Sequence, residues 1–372
     1  MPSPAISGSS RYRVGVLGAT GAVGQRFIQL LEGHPHFHVV ALGASARSAG
    51  KAYEDAVTWQ LSADPPAYAR GMVLTLCAPE AMPGVDIVLS ALDADVAGDI
   101  EAAFRDAGAA VFSNARNFRM SPDVPLVVPP VNSEHLELVR AQASFAASGG
   151  FIVCNANCST TGLTIALKPL HDAFGIEAAT VTTLQAISGA GYPGLPSMDI
   201  LDNVVPYIGG EEEKLESEYT KILGTLTQQQ GALAPPAIAP ATFPLSAMVH
   251  RVNVRDGHSL ALSLRLRVPA TPEQVAAALR GWRPADAQPD LARAPSAPTD
   301  FLSVRDEPAR PQPRLDRDTG RGFTTTVGRI RADPVATVKL FVVSHNTVMG
   351  AAGAALLNAE LAVLRGLVTQ RR

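Results

Sequence analysis

The chain has 372 residues, 47% hydrophobic and 17% charged, a composition typical of a globular protein with room for two domains. Its 31 Lys and Arg against 34 Asp and Glu give a net charge of -3, which excludes the basic balance expected of a nucleic-acid or anionic-membrane binder. The three cysteines, Cys77, Cys154 and Cys158, form no CxxC pair and indicate neither a disulfide framework nor a metal site. Because the N-terminus lacks an apolar secretory segment, we expect a cytoplasmic protein.

The first predicted element is a short apolar strand, RVGVLG, at residues 13–18, and a glycine-rich loop follows it directly. The loop, GATGAVG, opens a segment whose apolar positions suit one face of a helix. Glycine in this place permits a tight turn and lets the backbone approach a pyrophosphate at the helix N-terminus. The pattern predicts a dinucleotide site with cofactor contacts at Gly18, Thr20, Gly21, Ala22 and Val23.

The second predicted strand, HVVALGAS, indicates which dinucleotide binds. A site that prefers NAD usually carries Asp or Glu at the end of this strand, where the acid bonds the ribose 2′-hydroxyl. Here the strand runs into Ser45, Arg47 and Ser48, with no acid. A guanidinium can bind a 2′-phosphate through two hydrogen bonds. The sequence therefore favours NADP as the cofactor.

Further apolar runs at residues 85–92, 109–113 and 126–128 predict buried strands, and DVAGDIEAAFRDAG predicts a helix between them. Strands that alternate with helices indicate βαβ units and a parallel sheet. We therefore predict an α/β protein whose residues 1–155 form a Rossmann-like NADP-binding domain.

The pattern changes after residue 155. A helix predicted over Thr160–Phe174 is followed by long alternating strands, ATVTTLQAIS, HRVNV and SLALSLRLRV. The intervening RDGH predicts a turn that pairs the last two strands as an antiparallel hairpin. Residues 156–345 are thus predicted to form an α+β catalytic and dimerisation domain with a mostly antiparallel sheet. Within it, the Pro-rich segment 284–318 is expected to be an ordered loop or arm.

The last 27 residues, 346–372, form a predicted helix rich in small residues. Small side chains allow close packing, so we expect this helix to return to the first domain and complete it.

Cys158 stands between a predicted buried strand and the start of a helix, in FIVCNANCSTTGL. A thiol at a helix N-terminus meets unpaired N–H groups and the positive end of the helix dipole, so we expect a stabilised thiolate. The same N–H groups could hold an oxyanion. Cys154 is expected to be a small core residue. A thiol beside a nicotinamide site suggests attack on an aldehyde, hydride transfer and a thioester intermediate.

Short polar and glycine-containing stretches recur from about residue 13 to about residue 355: GVLGATGAVGQRF, LGASARSAGK, SNARNFR, CNANCSTTGL, LQAISGAG, DILDNVVPYIGGEEEK, RVNVRDGH, RPQPRLDR and SHNTVMGAAG. Together they resemble the aspartate-semialdehyde dehydrogenase family, and its fungal-type branch more than the common bacterial one. The resemblance implies NADPH-dependent conversion of L-aspartyl-4-phosphate to aspartate semialdehyde and phosphate. That product feeds lysine, methionine, threonine and isoleucine synthesis. A homodimer or homotetramer is also implied.

The resemblance assigns roles to single residues. It implies that Cys158 is the thioester nucleophile, that Gln185 positions the reacting groups, and that His258 is the acid/base that takes the thiol proton. Arg251 resembles the arginine that binds the substrate α-carboxylate. The remaining implied contacts are with the substrate ammonium and phosphate, at Glu218, Lys221, Arg119 and Asn157, and with the cofactor, at Ser188, Gly189 and Asn346.

Three other functions remain open from the sequence. A related acyl-phosphate or acyl-CoA reductase, such as N-acetylglutamyl-phosphate or malonyl-CoA reductase, would share the same chemistry, although Arg251 with Glu218 favours a free amino acid. A non-catalytic NADP-binding regulator would not need a cysteine, a glutamine and a histidine together. A Cys-His hydrolase would leave the glycine loop unexplained.

Overall fold

The structure, a computed structural model, describes residues 11–228, 236–284 and 288–371. The first half of the chain forms a seven-stranded sheet in the order β3-β2-β1-β4-β5-β7-β6, and every pair of neighbours is parallel. Its strands are β1 Tyr12–Leu17, β2 Phe37–Ala44, β3 Leu74–Leu76, β4 Ile87–Ser90, β5 Ala110–Ser113, β6 Leu126–Val127 and β7 Phe151–Asn155. The predicted Rossmann-like sheet is confirmed.

The described chain contains α-helices of nine residues or more at α1 Ala22–Leu30, α2 Ala94–Asp106, α3 Cys158–Phe174, α4 Glu211–Ile222, α5 Pro272–Gly281 and α6 Gly353–Leu364. Single-turn or slightly longer α-helices lie at Tyr53–Ala56, Ala67–Arg70, Pro129–Asn132, Ala143–Ser148, Ser197–Ile200 and Pro313–Asp316, and the longest 3-10 segment is Ser133–Ala141. In α1, Phe27 and Ile28 are fully buried, as its apolar spacing predicts.

The strands of the second half are β8 Ile176–Gln185, β9 Val204–Val205, β10 Thr225–Gln228, β11 Pro236–Ala239, β12 Leu245–Val252, β13 His258–Leu266, β14 Leu302–Val304, β15 Thr325–Ala332 and β16 Val338–Ser344. All but β10 and β11, which form a separate ribbon, join one sheet in the order β14-β15-β16-β13-β8-β12-β9. Only the β8–β12 and β14–β15 pairs are parallel in this described sheet. The predicted mostly antiparallel sheet is therefore confirmed.

The predicted hairpin at RDGH is wrong, because β8 lies between β12 and β13 and pairs with both. Gly257 has a φ of +98°, so the turn chemistry is present. A glycine with positive φ permits a tight reversal but does not specify which strands flank it. The chain therefore crosses the end of β8 between the two strands.

The Pro-rich arm contains more regular structure than predicted. Its strand β14 extends the second sheet beside β15. The buried Asp316 forms ion pairs with Arg305 and Arg310. Residues 285–287 of the predicted arm lie outside the described residues.

The C-terminal segment begins with a π-helical turn, Val348–Ala352, and continues as α6. Helix α6 is buried along nearly its whole length and contacts α1, β5 and β7. The division of the chain at residues 155 and 156 stays a prediction.

No helix within the described residues is long and apolar enough to cross a membrane. The same residues contain no grouping of His, Cys, Asp and Glu that could hold a metal ion.

Candidate active site

Cys158 is the first residue of α3, three residues after the end of β7, and it is partly exposed. Asn157 caps the helix, because its Oδ1 accepts the N–H groups of Ser159 at 2.9 Å and Thr160 at 3.2 Å. From the C-terminal segment, Gly350 packs so closely that a Cβ there would lie 2.9 Å from the Cys158 Cβ. The thiol is thus held between a capped helix start and a glycine that a larger residue could not replace without displacing it.

His258, at the start of β13, is the nearest polar partner of the thiol. Its Nε2 lies 3.1 Å from Cys158 Sγ, and the imidazole is fully buried. A Cβ at Gly189 would lie 3.1 Å from the imidazole Cε1 and 2.8 Å from an Arg251 nitrogen. The glycine predicted to contact the cofactor therefore also packs against the histidine and arginine of the site.

The helix start was expected to stabilise the thiolate of Cys158, but burial and a neighbouring negative charge outweigh that effect. Burial and the charge of Glu211 raise the pKa of Cys158 to about 12, against the opposing effects of Arg251, Arg119 and the Ser159 N–H. Burial, Arg251 and His345 lower the pKa of His258 to about 3. The two groups therefore face each other as neutral thiol and neutral imidazole.

Arg251 and Gln185 come from the adjacent ends of β12 and β8, where they are paired in register. The Arg251 Nη1 donates to the carbonyl of Ala186 at 2.8 Å, and the guanidinium is 5% exposed. Gln185 Nε2 donates to Glu211 at 3.3 Å and to Thr183 Oγ1 at 3.4 Å, which fixes the orientation of its amide. The structure thus brings the predicted Cys158, Gln185, Arg251 and His258 together.

Glu211 was missed in the sequence because the run EEEK resembles a solvated helix face. Its carboxylate accepts Asn157 Nδ2 at 2.8 Å and Lys214 Nζ at 2.6 Å, and it is 8% exposed. Although burial opposes ionisation, Lys214 and the hydrogen bonds lower the pKa of Glu211. A signal was available: Glu211 and Glu218 stand seven residues apart on the same helical stripe as the buried Leu215.

Glu218 forms a buried ion pair with Arg119 at 2.8 Å and accepts the backbone N–H of Asn157 at 2.7 Å with its other oxygen. Arg119 also donates to the Asn114 carbonyl at 2.7 Å. Despite burial, which lowers it, the charge of Glu218 gives Arg119 a raised pKa. Arg119, Glu218 and Asn157 are therefore assembled beside the nucleophile, already bonded to one another.

Lys221 does not present a free ammonium to the site. Its Nζ donates to the carbonyls of Arg119, Ser121 and Val124 at 2.9, 2.6 and 2.7 Å, which uses all of its donors. Burial lowers its pKa to about 8. The geometry favours a structural role for Lys221, which holds the segment that carries Arg119, over direct contact with phosphate.

The glycine loop has the shape that a dinucleotide requires. Gly18 has a φ of +69°, and a Cβ at Gly24 would lie 2.2 Å from the Gly18 carbonyl oxygen. Gly21 is exposed at the start of α1, and a Cβ there would meet only the same oxygen at 3.4 Å. Among the described residues, no side chain caps α1 and no acid lies in its first turn. The exposed helix start can therefore receive a pyrophosphate on its N–H groups.

The predicted 2′-phosphate residues form a turn directly after β2, where the Ser48 N–H donates to the Ser45 carbonyl at 2.9 Å. Arg47 is exposed on this turn. Because β2 is the neighbour of β1 in the sheet, the turn lies beside the glycine loop, as a Rossmann site requires.

A cleft lies between the start of α1 and the turn that follows β8. It is lined by residues of both halves of the chain, including Ala22, Arg26, Ser188, Asp256 and Thr347. Arg26 was not predicted; its Nε donates to Thr347 Oγ1 at 3.1 Å.

Asn346 joins the wall of this cleft to the histidine loop. Its Nδ2 donates to Ser188 Oγ at 2.8 Å, and its Oδ1 accepts the Gly257 N–H at 2.8 Å. This amide therefore fixes the residue before His258. The predicted cofactor contacts of Ser188, Gly189 and Asn346 stay predictions.

Two family models match the chain. Residues 13–139 match the semialdehyde dehydrogenase NAD-binding domain, and residues 167–349 match the semialdehyde dehydrogenase dimerisation domain. The first match contains the glycine loop, and the second contains Gln185, Arg251 and His258.

Individual relatives extend the match to nearly the whole chain. Aspartate-semialdehyde dehydrogenase of Trichophyton rubrum is 49% identical and that of Candida albicans 50% identical, each over 96% of this chain and 99% of the relative. The crystal structure of the Candida albicans aspartate semialdehyde dehydrogenase with NADP has a TM-score of 0.86 and 48% identity, covering 96% of this chain and 100% of that chain. Because identity near one half extends over nearly its full length, the chain belongs to the aspartate-semialdehyde dehydrogenase family.

Proposed function

We propose that the chain is an NADP-dependent aspartate-semialdehyde dehydrogenase that reduces L-aspartyl-4-phosphate to aspartate semialdehyde and phosphate. The observation that carries the proposal is the 3.1 Å contact between Cys158 Sγ and His258 Nε2, in a chain that also presents an open glycine loop at the start of α1. The family membership and the NADP in the Candida albicans structure support it.

Cys158 is the nucleophile of this reaction. Its sulfur attacks the acyl carbon of the substrate as the thiol proton passes to His258, 3.1 Å away; the bond to the phosphate oxygen breaks with its electron pair on the leaving phosphate, and a thioester forms on Cys158. The N–H groups at the start of α3 stabilise negative charge on the carbonyl oxygen while the tetrahedral species forms. His258 lies 3.1 Å from the sulfur and handles its proton, and Gln185 orients the carbonyl without titrating.

Charged side chains around the thiol select the substrate. Arg251 binds the α-carboxylate, because its buried guanidinium packs beside His258 around Gly189 and interacts with the charge of Glu211. Arg119 binds the phosphate, and Lys221 holds the Arg119 segment and adds positive potential. The ammonium of the substrate is bound by Glu218. Because Glu218 and Arg119 pair with each other, substrate binding replaces one ion pair with two.

NADPH, when bound, supplies the hydride that reduces the thioester carbonyl. Gly18, Gly21 and the start of α1 hold its pyrophosphate, and Arg47 with the adjacent serines holds its 2′-phosphate. Ser188 lines the cleft, and Asn346 holds its hydroxyl through a 2.8 Å hydrogen bond.

The test is an assay of the purified protein with aspartate semialdehyde, phosphate and NADP⁺, followed by the appearance of reduced nicotinamide. We expect a rate that requires phosphate and exceeds the rate with NAD⁺. N-acetylglutamyl phosphate, malonyl-CoA and their aldehydes serve as alternative substrates. Preference for any of these over aspartate semialdehyde would assign the chain a different acyl substrate, and turnover without nicotinamide would make it a hydrolase.

We further propose that the enzyme is a homodimer of the cytoplasm. The second sheet leaves one face open, with Thr182, Met248 and Arg265 exposed, and this sheet belongs to the dimerisation-domain match. A reducing compartment preserves the thiol on which the chemistry depends. Light scattering on the purified protein is expected to give twice the mass of the chain; four times that mass would establish a tetramer.

A further inference from the structure

Three asparagine amides form a hydrogen-bonded chain along the carboxyl ends of the parallel strands. Asn358 on α6 donates from Nδ2 to Asn155 Oδ1 at 2.9 Å, and Asn155, the last residue of β7, donates from Nδ2 to Asn114 Oδ1 at 2.9 Å. Asn114, which follows β5, donates to the Ser90 carbonyl at the end of β4 at 2.8 Å. Asn358 and Asn155 are 0% and 1% exposed. Because buried amides cost free energy unless they are bonded, the chain restricts how the segments that carry it can be arranged.

The chain of amides has a single orientation. Asn155 Nδ2 also donates to the Ala351 carbonyl at 2.9 Å, and Asn358 Nδ2 also donates to the Val127 carbonyl at 3.3 Å. Main-chain carbonyls can only accept, so each of these amides must direct its NH₂ group toward them. Asn155, in the middle, therefore uses both of its N–H donors and its oxygen. A carboxylate or an apolar side chain could not make the same three bonds.

The Ala351 carbonyl belongs to the π-helical turn Val348–Ala352, which contacts the nucleophile. In this turn the Gly350 N–H donates at 2.9 Å to the carbonyl five residues before it. A Cβ at Gly350 would lie 2.9 Å from the Cys158 Cβ and 3.2 Å from its Cα. Single π-helical turns are rare in proteins and occur frequently at functional sites. The bond from Asn155 therefore holds the turn that packs on the thiol residue.

The other acceptor of Asn155 belongs to the Arg119 loop (residues 114–119). The main-chain carbonyl of Asn114 accepts Arg119 Nη2 at 2.7 Å, while Arg119 Nη1 pairs with Glu218 at 2.8 Å. The orientation of the guanidinium thus depends on where Asn114 is held. Asn155 is itself three residues before Cys158. One amide therefore connects three segments that meet around the thiol: the link from β7 to α3, the π-helical turn and the Arg119 loop.

We propose that Asn155 is a positioning residue, whose amide fixes Cys158 between the π-helical turn and the Arg119 loop and so sets the separation between the thiol and the arginine. The proposal rests on the proposed function for the phosphate at Arg119. Asn155 acts through the groups that it bonds. The nucleophile and the leaving phosphate must be aligned when the sulfur attacks, and a displacement of about 1 Å can lower a rate by about 10²-fold.

The test variant is Asn155→Leu, which keeps a branched side chain but removes all three hydrogen bonds and leaves the Ala351 carbonyl without the amide. The matched control is Asn132→Leu. Asn132 is also 1% exposed and also uses both ends of its amide, but its bonds go to Val128, Leu126 and His135. The control therefore reproduces the loss of a buried, bonded amide at another place in the fold.

The first measurement is hydrogen–deuterium exchange followed by mass spectrometry, with no substrate added. In Asn155→Leu we expect exchange about tenfold or more faster in peptides that cover the π-helical turn and the Arg119 loop, because each has lost a bond that holds it. Exchange in α1 should stay at the wild-type rate, and Asn132→Leu should leave both segments unchanged. Wild-type exchange of the two segments in Asn155→Leu overturns the proposal.

The second measurement is steady-state turnover of aspartate semialdehyde with phosphate and NADP⁺. For Asn155→Leu we expect kcat to fall about tenfold or more and the KM for phosphate to rise about tenfold, with the KM for NADP⁺ unchanged. A general loss of stability would reduce the amount of active enzyme and leave both KM values as they are. Asn132→Leu should keep the wild-type KM for phosphate.

Faster exchange in Asn155→Leu with wild-type kcat and KM for phosphate would show that the amide serves only the fold, and would overturn the proposal. If the wild type prefers another acyl substrate, the proposed function fails, and the same comparison with that substrate still decides the role of Asn155. If Asn155→Leu does not fold, Asn155→Ala, which removes the amide without adding volume, is measured in the same two ways.

Discussion

The glycine loop (residues 18–24) and the thiol site (Cys158, Gln185, Glu211, Arg251 and His258) achieve precision in opposite ways. The loop is one continuous segment whose shape depends on absent side chains: Gly24 touches the Gly18 carbonyl and Gly21 leaves the helix start open. The thiol site is assembled from β8, α4, β12, β13 and α3. Its side chains are positioned by hydrogen bonds to one another and to the main chain. The first is readable as a local pattern, whereas the second depends on how distant segments meet.

The largest expected effect separates the two regions completely. Cys158→Ala is expected to lower turnover by at least about 10⁴-fold, because loss of a covalent nucleophile disables the groups that act with it. Affinity for NADPH should be unchanged, since the loop is a separate segment. Cys154→Ala, in the buried strand four residues earlier, is the control and should retain turnover. Steady-state rates and cofactor titrations check both; an active Cys158→Ala would remove the nucleophile from the thiol site.

Two alanine substitutions divide the glycine loop into a structural and a binding position. In Gly24→Ala the new Cβ would lie 2.2 Å from the Gly18 oxygen and 2.8 Å from the Ala19 Cα, so we expect a loss of about 3 kcal/mol in the free energy of unfolding. Gly21→Ala has only a 3.4 Å contact and should change that free energy by about 0.5 kcal/mol or less. Its NADPH affinity should nevertheless fall about tenfold or more, because the methyl group occupies the place of the pyrophosphate.

Denaturant unfolding and cofactor titration of both variants give the comparison. If Gly21→Ala binds NADPH as tightly as the wild type, the pyrophosphate does not approach the loop at this residue.

Arg251→Leu tests the substrate side of the thiol site. Removal of the guanidinium leaves the substrate carboxylate unpaired, and we expect a loss of about 2 to 5 kcal/mol in substrate binding with little change in cofactor affinity. Arg251→Lys should recover part of the loss, because it restores charge but not the paired hydrogen bonds. Substitution of the exposed Arg70 by Leu is the control. Unchanged KM in Arg251→Leu would transfer carboxylate binding to another residue.

Arg47→Ala tests the contact expected between an exposed arginine and the 2′-phosphate of the cofactor. Hydrogen bonds to a charged group contribute about 1.5 to 3 kcal/mol, so the preference for NADPH over NADH should fall by about tenfold to a hundredfold. The effect should appear in NADPH affinity alone, with NADH binding unchanged. Equal loss for both cofactors would indicate that Arg47 does not bind the 2′-phosphate.

The same contrast explains what could be predicted from the sequence. Apolar runs that alternate with helical patterns predicted the parallel sheet and placed Cys158 at a helix start, because burial and glycine geometry act over a few residues. The RDGH hairpin failed because pairing is a choice among distant strands, and β8 competes for both edges. Glu211 was hidden because its partners, Asn157 and Gln185, lie on other elements.

The raised pKa of the thiol could not be predicted either. The helix start is a local feature and favours the thiolate, but burial and the Glu211 charge belong to the assembled site and outweigh it. The role of Lys221 likewise depends on the fold. Its charge can be identified in the sequence, but the three carbonyls that accept its N–H groups can be identified only in the structure.

The smallest predicted effect tests how the charge of Glu211 influences the pKa of Cys158. Glu211→Gln replaces the carboxylate with an amide of the same shape and removes a negative charge that raises the pKa of Cys158, so that pKa should fall. The lower pKa leaves more thiolate near pH 8, and because the thiolate is the reactive form, alkylation of Cys158 should be about threefold to tenfold faster. Glu213→Gln, exposed on the same helix, should alkylate at the wild-type rate. Mass spectrometry of the Cys158 peptide over a pH series gives the rates; coincident curves for all three proteins would mean that the Glu211 charge does not reach the sulfur, and that burial alone keeps the thiol protonated.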